Sequence, residues 1–274
     1  MIAGMFVLTT QDVITKWLTA GYHAGEIMFY RGLFSFLPLA LFVWREGGPT
    51  CLRTGRPGLM AVRSLLALAT SLMIVLSYAA LPLADALAIV FASPLIITAL
   101  SAPLLGESVG PRRWAAVAVG FMGVLLLTRP GPAGIALTAL IPLSAALFSA
   151  LRDLVTRRLG AQDSSTTILF YSQLVSTVGV APSMVSNHGL PPPGDLALLL
   201  ASGIMVTLAH YLIIQAFRFA PAATVAPFRY LALVWAMIAG FVIWRDVPDA
   251  WALGGSCLIV GSGLYMLQRE ARRA

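Results

Sequence analysis

Among the ionisable residues within long apolar stretches of this 274-residue chain, four are candidates for chemistry: Asp12, Arg31, His210 and Arg229. A charged side chain at membrane depth is costly, so it is expected to be paired, to face a cavity or to take part in function. An acid in such a position can relay a proton, and a guanidinium can bind a carboxylate, a phosphate or a flat ring. These residue types therefore indicate ion pairing, proton relay or ligand binding inside a membrane.

Asp12 and Arg31 are predicted to form an ion pair. Asp12 lies about eight residues before the end of its apolar segment and Arg31 about seven residues after the start of the next, so both lie roughly 10 to 12 Å below the surface. Charge neutralisation alone would explain the pair, and the alternative is that Asp12 also contacts a substrate or a proton. Gln11 and Tyr78 extend this polar patch and are candidates for the same pathway, although such residues also serve as contacts between helices.

Arg229 is the first candidate for a substrate contact. Its neighbours are both aromatic, Phe228 and Tyr230. This setting suits stacking on a flat ring or pairing with a carboxylate or phosphate, and the alternative is a side chain that extends to the lipid headgroups. His210 has a similar predicted depth and is either a proton switch or a histidine held by structural hydrogen bonds. Two residues that follow His210 on the same segment add polar capacity, Tyr211 and Gln215.

Composition places these residues in a bilayer. With 59% apolar residues, 11% charged residues and a mean hydropathy of +0.87, the chain has too little polar surface to cover a water-soluble globule. A membrane-spanning helix needs about 20 mostly apolar residues. The sequence predicts an all-α membrane protein with ten transmembrane helices, over residues 2–20, 26–44, 58–80, 83–104, 111–128, 134–156, 166–185, 195–217, 221–243 and 250–268.

The chain is predicted to be a tandem duplication. DVITKWL at residues 12–18 returns as DLVTRRL at 153–159, and IMFY at 27–30 returns as ILFY at 168–171, both 141 positions later. Because each copy has an odd number of spans, equivalent helices would cross in opposite directions, as in transporters built from inverted repeats with the substrate site at their interface. The two predicted repeats are, in order, residues 1–130 (helices 1 to 5) and residues 131–274 (helices 6 to 10).

Prolines interrupt the fourth and ninth predicted helices, which are equivalent under the duplication. A second match, 139 positions apart, sets YAALP at residues 78–82 against FRFAP at residues 217–221, and the proline of each opens one of these helices. Pro94 and Pro227 follow within the spans, where proline removes a backbone hydrogen bond and permits a kink. Paired interruptions predict hinges for alternating access, and static kinks are the alternative.

The net charge of +7 is explained by membrane topology without a nucleic acid or other polyanionic partner. Of the 18 basic residues, 13 fall on loops and flanks that share a side with both termini, three fall on the opposite side, and Arg31 and Arg229 lie within spans. Positively charged loops stay in the cytoplasm. The predicted location is the inner cell membrane, with both termini in the cytoplasm and with an uncleaved first helix.

The sequence carries no recognised catalytic or metal-binding pattern. It has no Walker A, HExxH or GxSxG motif, which argues against direct drive by ATP and leaves an intramembrane enzyme as the alternative from another functional class. Cys51 and Cys257 are far apart and form no CxxC or Cys/His pattern, so neither a disulfide nor a metal site is predicted. No cofactor is predicted.

Two helix-end patterns resemble EamA-type members of the drug/metabolite transporter superfamily. In the first half, PLLGE at residues 103–107 precedes AVAVGFMG at 116–123; in the second, WRD at 244–246 precedes GGSCLIVG at 254–261. The resemblance covers essentially the whole chain. It implies two inverted five-helix repeats, with helices 1, 3, 4, 6, 8 and 9 around a central path and helices 5 and 10 peripheral. The first helix and residues 228–230 are most similar to the subgroup assigned to riboflavin or S-adenosylmethionine uptake, while other members export amino acids, amines or drugs.

The predicted function is secondary transport of a small, ring-containing or zwitterionic metabolite by alternating access. Proton coupling through Asp12 or His210 and uncoupled facilitation both agree with the sequence. A membrane scaffold without transport is a further alternative, and it would have its polar residues facing lipid or packed without a cavity. The sequence does not specify the direction of transport or the oligomeric state.

Overall fold

The computed structural model describes residues 1–105, 110–128, 137–159, 163–186, 189–219 and 226–271, and all regular structure within these ranges is helical. The first half contains α1 (Ile2–Leu18), α2 (Ala24–Arg45), α3 (Pro57–Ala80), α4 (Leu83–Val90), α5 (Ser93–Leu105) and α6 (Pro111–Thr128). The second half contains α7 (Leu137–Leu159), α8 (Ser165–Val180), α9 (Pro193–Phe219), α10 (Leu231–Ala239) and α11 (Ala250–Ala271). Short 3-10 helices cover Gly48–Leu52, Ala181–Ser186 and Ala226–Tyr230, and a π-helix covers Gly240–Trp244.

Length and apolar composition make six helices of the described ranges able to cross a bilayer. They are α2, α3, α7, α8, α9 and the combined pair α4 and α5, and shorter apolar helices cover Trp114–Thr128, Phe228–Trp244 and Ala250–Tyr265. Large apolar side chains face outward, among them Leu37 at 59% exposed and Met122 at 60% exposed. If α4 and α5 are taken as one interrupted segment, the described ranges hold ten helical segments of an all-α membrane fold.

The fourth predicted helix, residues 83–104, is interrupted. Helix α4 ends at Val90 and α5 begins at Ser93, with a turn at Phe91 and Ala92 between them. Pro94 has no N–H to donate to the carbonyl of Val90, so the helical hydrogen-bond ladder cannot continue through this position. The structure thus has a break in the span where the sequence predicted an interruption at Pro94.

Other predicted bounds also differ from the structure. Helix α8 ends at Val180 and continues as a 3-10 helix, two residues before Pro182, so the predicted helix over 166–185 changes type near its end. The predicted ninth helix, residues 221–243, is described from residue 226 as a 3-10 turn, α10 and a π-helix. Its predicted start at Pro221 lies outside the described residues, as does the Gly-Glu corner at residues 106–107. Prolines do not always break these helices, since Pro142 lies inside the continuous α7.

A polar contact between a linker and the end of a helix marks each end of the bundle. At one end the start of α3 meets the end of α7, where Arg56 Nη1 donates to the carbonyl oxygen of Arg158 at 2.6 Å. We name it the basic end for its arginines. At the other end, the far end, the linker after α1 meets the start of α9, where the Tyr22 hydroxyl donates to Asp195 Oδ2 at 2.6 Å. This hydrogen bond raises the pKa of Tyr22 to about 12, so Tyr22 remains a donor at neutral pH.

We assign the helices to two groups that each combine both halves of the chain and that contact each other along α2 and α8. In group 1, α9 packs on α1 and α2, and α10 packs on α1. In group 2, α3 packs on α7 and α8, and α4 and α5 pack on α7. Beside them α6 packs against α11, where a Cβ atom added to Gly255 would lie 2.7 Å from the carbonyl oxygen of Gly123. This close approach of two backbones requires small residues on both helices.

A buried apolar cluster joins the two groups at the far end. Its members come from the end of α1, the start of α2 and the start of α9 in group 1, and from the ends of α3 and α8 in group 2. Ile27 and Val75 within it are completely buried. We name this cluster the far-end seal, and its buried residues include Leu18, Ile27, Met28, Val75, Val180 and Leu199.

Candidate functional site

A cavity of about 230 Å³ lies between group 1 and group 2, towards the basic end. Its walls come from α2 and α9 on one side and from α3, α7 and α8 on the other. Three arginines and one aspartate lie in these walls. The polar lining residues are Arg31, Arg63, Ser71, Arg152, Asp153, Thr156, Ser172, Gln173, Ser176, Thr207 and His210.

Five of the lining residues form a connected set within group 2, which we name the lining cluster: Arg63, Arg152, Asp153, Thr156 and Ser172. Arg152 donates to Asp153 Oδ1 from Nε at 3.1 Å and from Nη2 at 3.0 Å. Arg63 Nε donates to Thr156 Oγ1 at 3.1 Å, and Arg63 Nη1 donates to the Ser172 hydroxyl. Asp153 balances one of the two arginines, so this cluster carries one net positive charge.

A second connected set lies in group 1, which we name the buried cluster: Gln11, Asp12, Thr15, Arg31 and Ser202. The Gln11 amide, 1% exposed, lies at its centre. In the orientation that satisfies every neighbour, its nitrogen donates to Asp12 at 3.1 Å, and its oxygen accepts from Arg31 at 3.2 Å, Thr15 at 2.5 Å and Ser202 at 3.1 Å. The acid and the guanidinium are thus bridged by one amide.

Two further features of the buried cluster bear on its chemistry. Tyr78 from α3 is 2% exposed, and its hydroxyl is a hydrogen-bond partner of the Asp12 carboxylate. Arg31 belongs to the buried cluster and also lines the cavity. Its Nε is buried without a hydrogen-bond partner among the described residues. A free buried donor at the cavity wall is a position where a ligand acceptor would be stabilised.

The remaining predicted site residues are placed as follows. His210 lines the cavity, with Nδ1 2.7 Å from the carbonyl oxygen of Val206. Tyr211 stacks on Phe42 with ring centroids 4.5 Å apart, and Gln215 is partly buried one turn later on α9.

Arg229 and Tyr230 lie apart from the cavity. Both belong to the 3-10 helix Ala226–Tyr230; Arg229 is exposed, whereas Tyr230 is buried against Phe91 at 5.4 Å between ring centroids. Neither is among the described residues that line the cavity. Their assignment as substrate contacts stays a prediction.

The sequence showed Arg152 beside Asp153 as a rearranged charge pair, but neither Arg63 nor Arg152 was predicted as a site residue. Both lie within seven residues of a helix end at the basic end, so they were grouped with the arginines that set topology. The duplication offers a signal that could have found them. Arg152 stands 141 positions after Gln11, and Arg63 stands 139 positions before Ser202. Both arginines are thus the equivalents of polar residues at membrane depth.

The sequence profile of the EamA-like transporter family matches residues 1–129 and, a second time, residues 136–268. The chain belongs to this family. This EamA-like protein is 32% identical to the S-adenosylmethionine uptake transporter of Rickettsia bellii, over 98% of the chain and 94% of the relative. It is 30% identical to the riboflavin transporter of Rhizobium johnstonii, over 100% and 91%. It is 29% identical to a pseudopaline exporter of Pseudomonas aeruginosa, over 94% and 91%.

A solved crystal structure shares the fold of this EamA-like protein. The two superpose with a TM-score of 0.64 over 99% of this chain and 98% of the other, at 17% sequence identity. The three relatives above are named as transporters or as an exporter. Membership of the drug/metabolite transporter superfamily, predicted from the helix-end patterns, is therefore confirmed, and the chain is a multi-pass membrane transporter and not an enzyme.

Proposed function

We propose that this EamA-like protein is a secondary transporter that moves a small organic metabolite through the cavity by alternating access. The cavity carries the proposal, because it is lined by Arg31, Arg63 and Arg152. Asp12 balances Arg31 through the Gln11 bridge and Asp153 balances Arg152, which leaves one positive charge without an acidic partner among these residues. An uncompensated charge in a membrane is expensive and marks a substrate or ion path. An anionic group on the substrate would supply the missing counter-charge, and a neutral substrate rich in acceptors would accept hydrogen bonds from the arginines.

The proposed substrate presents a carboxylate, another anionic group or a flat ring with carbonyl acceptors to these arginines. A guanidinium binds such groups through two parallel N–H donors. The cavity volume of about 230 Å³ lies just below the ~300–1,000 Å³ of ligand pockets, which suits a small metabolite. Relatives named for riboflavin and S-adenosylmethionine support a riboflavin- or S-adenosylmethionine-like substrate. A relative named as an exporter supports the alternative direction, with amino acids, amines or drugs as alternative cargo.

The two halves of the chain are proposed to be inverted five-helix repeats over residues 1–130 and 131–274. Helix α1 ends at the far end, whereas its equivalent α7 ends at the basic end. The packing of α9 on α1 and α2 has its equivalent in the packing of α3 on α7 and α8. The two matches of the family profile support the same division. Both termini are proposed to lie in the cytoplasm of the inner membrane, at the basic end.

The proposed moving bodies are group 1 and group 2, which combine helices of both repeats. The cavity lies between them at the basic end and the far-end seal joins them at the other, an arrangement that supports an inward-facing state. The helix breaks support hinges at Pro94 and Pro227. The break at Phe91 and Ala92 lies 139 positions before the junction of Tyr230 and Leu231, where a 3-10 helix meets α10.

Proton coupling is proposed to involve Asp12 or His210. The Asp12 carboxylate accepts hydrogen bonds from Gln11, which also contacts Arg31, and from Tyr78. Protonation of Asp12 would remove its negative charge and weaken these hydrogen bonds of the buried cluster. His210 lines the cavity beside the arginines. Tyr211, Gln215, Arg229 and Tyr230 remain proposed contacts at a stage of transport other than the one described.

Uptake by purified protein in liposomes tests the proposal. Riboflavin and S-adenosylmethionine are offered over a range of concentrations to the unmodified protein, to Arg152→Gln and to Arg45→Gln, the matched control at the exposed end of α2. A hydrogen bond to a charged group contributes about 1.5–3 kcal/mol, so Arg152→Gln should raise the half-saturating concentration roughly 10- to 150-fold. Arg45→Gln should leave it unchanged. Equal half-saturation for Arg152→Gln and the unmodified protein would count against a path through the cavity.

The topology has a separate test. Reporter fusions that are active only in the cytoplasm or only outside it are placed after residue 131 and at the C-terminus. Inverted repeats require the first junction, which follows an odd number of spans, and the C-terminus to report opposite sides. Reports from the same side would refute the inversion without bearing on transport itself.

A further inference from the structure

The lining cluster and the buried cluster are built from equivalent positions of the duplicated sequence. Four pairs are separated by 141 positions and one by 139, the offsets of the two sequence matches. Both clusters therefore contain an acid, a threonine one turn later, an arginine and a serine. The arginine and the serine are exchanged between α2 and α8 and between α3 and α9. The pairs are Gln11 with Arg152, Asp12 with Asp153, Thr15 with Thr156, Arg31 with Ser172, and Ser202 with Arg63.

The equivalent positions differ in one physical respect, which is access to the cavity. Every member of the lining cluster contributes to the cavity wall. In the buried cluster, Thr15 and Ser202 are completely buried, and only Arg31 among its five members reaches the cavity. One arrangement of polar groups thus occurs twice, once open towards the basic end and once closed beneath the far-end seal.

The apolar residues show the same relation. Ile168 and Leu169 line the cavity, whereas Ile27 and Met28, their equivalents 141 positions earlier, are buried in the far-end seal. Leu39 lines the cavity, whereas its equivalent Val180 is buried in the seal. The apolar positions that meet at the far end are thus separated by the cavity at the basic end.

Three equivalent pairs line the cavity with both members, and they identify its centre. Ser71 faces it together with His210, which stands 139 positions later. Arg31 faces it together with Ser172, and Ala67 together with Val206. Positions that face the cavity from both repeats lie near the axis that relates the repeats. Arg31 is thus both central to the cavity and a member of the buried cluster.

We propose that the buried cluster is a second binding site for the transported metabolite, closed in this conformation and opened to the far end when the lining cluster closes. This inference rests on the proposed function. If each half of the chain adopted the conformation of the other half, the far-end seal would separate. The side chains of Gln11, Asp12, Thr15 and Ser202 would then be exposed. Arg31 would contact the substrate in both states. The buried cluster holds one acid against one guanidinium, so it carries no net charge and binds an anionic group less strongly than the lining cluster does.

The experiment compares thiol access at two positions in a background with Cys51→Ser and Cys257→Ser. Ser202→Cys reports on the buried cluster and Ser172→Cys on the lining cluster; both replace the serine of an arginine–serine pair with a side chain of similar size. A membrane-impermeant thiol reagent is applied separately from each side of the membrane, and labelling is read at each position by peptide mass spectrometry.

A reversible lock separates the two states. The Cβ position of Gly25 in group 1 lies 2.7 Å from Ser183 Cβ in group 2, at the far end. A disulfide between Gly25→Cys and Ser183→Cys needs a Cβ separation of about 3.5–4.5 Å, so a shift of roughly 1 Å suffices. The oxidised protein is held shut at the far end, and reduction restores movement in the same sample.

In the reduced protein, Ser202→Cys should be labelled from the far-end side. The disulfide should slow this labelling at least about tenfold, which corresponds to a shift of about 1.4 kcal/mol in the opening equilibrium. Ser172→Cys should label from the basic-end side whether or not the disulfide is present. If Ser202→Cys does not fold, the pair Thr15→Cys and Thr156→Cys replaces it.

Labelling of Ser202→Cys from the basic-end side, labelling unaffected by the lock, or no labelling while uptake continues would each overturn the second site. Failure of the proposed function has a different signature. It would appear as absence of saturable uptake by the reduced protein for every metabolite offered, whatever the labelling pattern.

Discussion

Replacement of Gln11 by leucine tests the bridge between Asp12 and Arg31. The amide makes four hydrogen bonds, two of them to charged groups, in a site that is 1% exposed. Hydrogen bonds to charged groups contribute about 1.5–3 kcal/mol each, whereas those between neutral groups in a membrane protein average about 0.6 kcal/mol. The two bonds to charged groups dominate, so Gln11→Leu should lower the free energy of unfolding by about 3–6 kcal/mol.

The assay is thermal unfolding in detergent. A loss of 1 kcal/mol lowers the midpoint by roughly 2–4 °C for a chain of about this size, so Gln11→Leu should lower it by roughly 6–24 °C. The matched control is Thr10→Val on the same helix, because the Thr10 hydroxyl donates to the carbonyl of Phe6 within α1 at 2.9 Å. It should lower the midpoint by no more than roughly 2–4 °C. Equal midpoints for the two variants would refute a bridging role for Gln11.

Three further changes follow from the same structure. Gly255→Ala should destabilise the contact of α6 with α11 by about 1–3 kcal/mol, because its Cβ would lie 2.7 Å from the carbonyl oxygen of Gly123. The control is the adjacent Gly254→Ala, whose Cβ meets nothing within 4 Å. In the same unfolding assay it should be neutral or stabilising. Asp12→Asn should abolish the pH dependence of uptake if Asp12 carries the proton, and an unaltered pH profile in liposomes would remove it as the carrier. Pro94→Ala restores a backbone donor between α4 and α5 and should slow uptake without lowering expression; an unchanged rate would identify the break as a static kink.

The sequence placed polar residues within predicted spans, but it did not predict which way every side chain faces. The depth of Asp12, Arg31 and His210 follows from their distance to helix ends, and the structure gathers all three around the cavity or the cluster beside it. Which way a side chain faces depends on the helix packed alongside it. Arg63 and Arg152 resembled arginines that extend towards headgroups, and their inward direction results from the packing of α3 on α7 and α8.

The duplication predicted equivalent helices but not their grouping. Hydrophobic periodicity is satisfied by any apolar neighbour, so it cannot predict that α9 joins α1 and α2 while α3 joins α7 and α8. The sequence also could not predict whether a proline breaks its helix. Pro142 lies inside the continuous α7, whereas Pro94 accompanies the break between Val90 and Ser93. Tertiary packing decides between these outcomes.

Substrate protection of a cavity residue tests the central claim most directly. Ser71→Cys in the Cys51→Ser and Cys257→Ser background places one thiol at the centre of the cavity, opposite His210. A metabolite that the protein transports should slow the labelling of this thiol saturably, with a half-maximal concentration that matches its half-saturation of uptake. Labelling that proceeds at the same rate at saturating concentrations of a transported metabolite would contradict passage between the two helix groups.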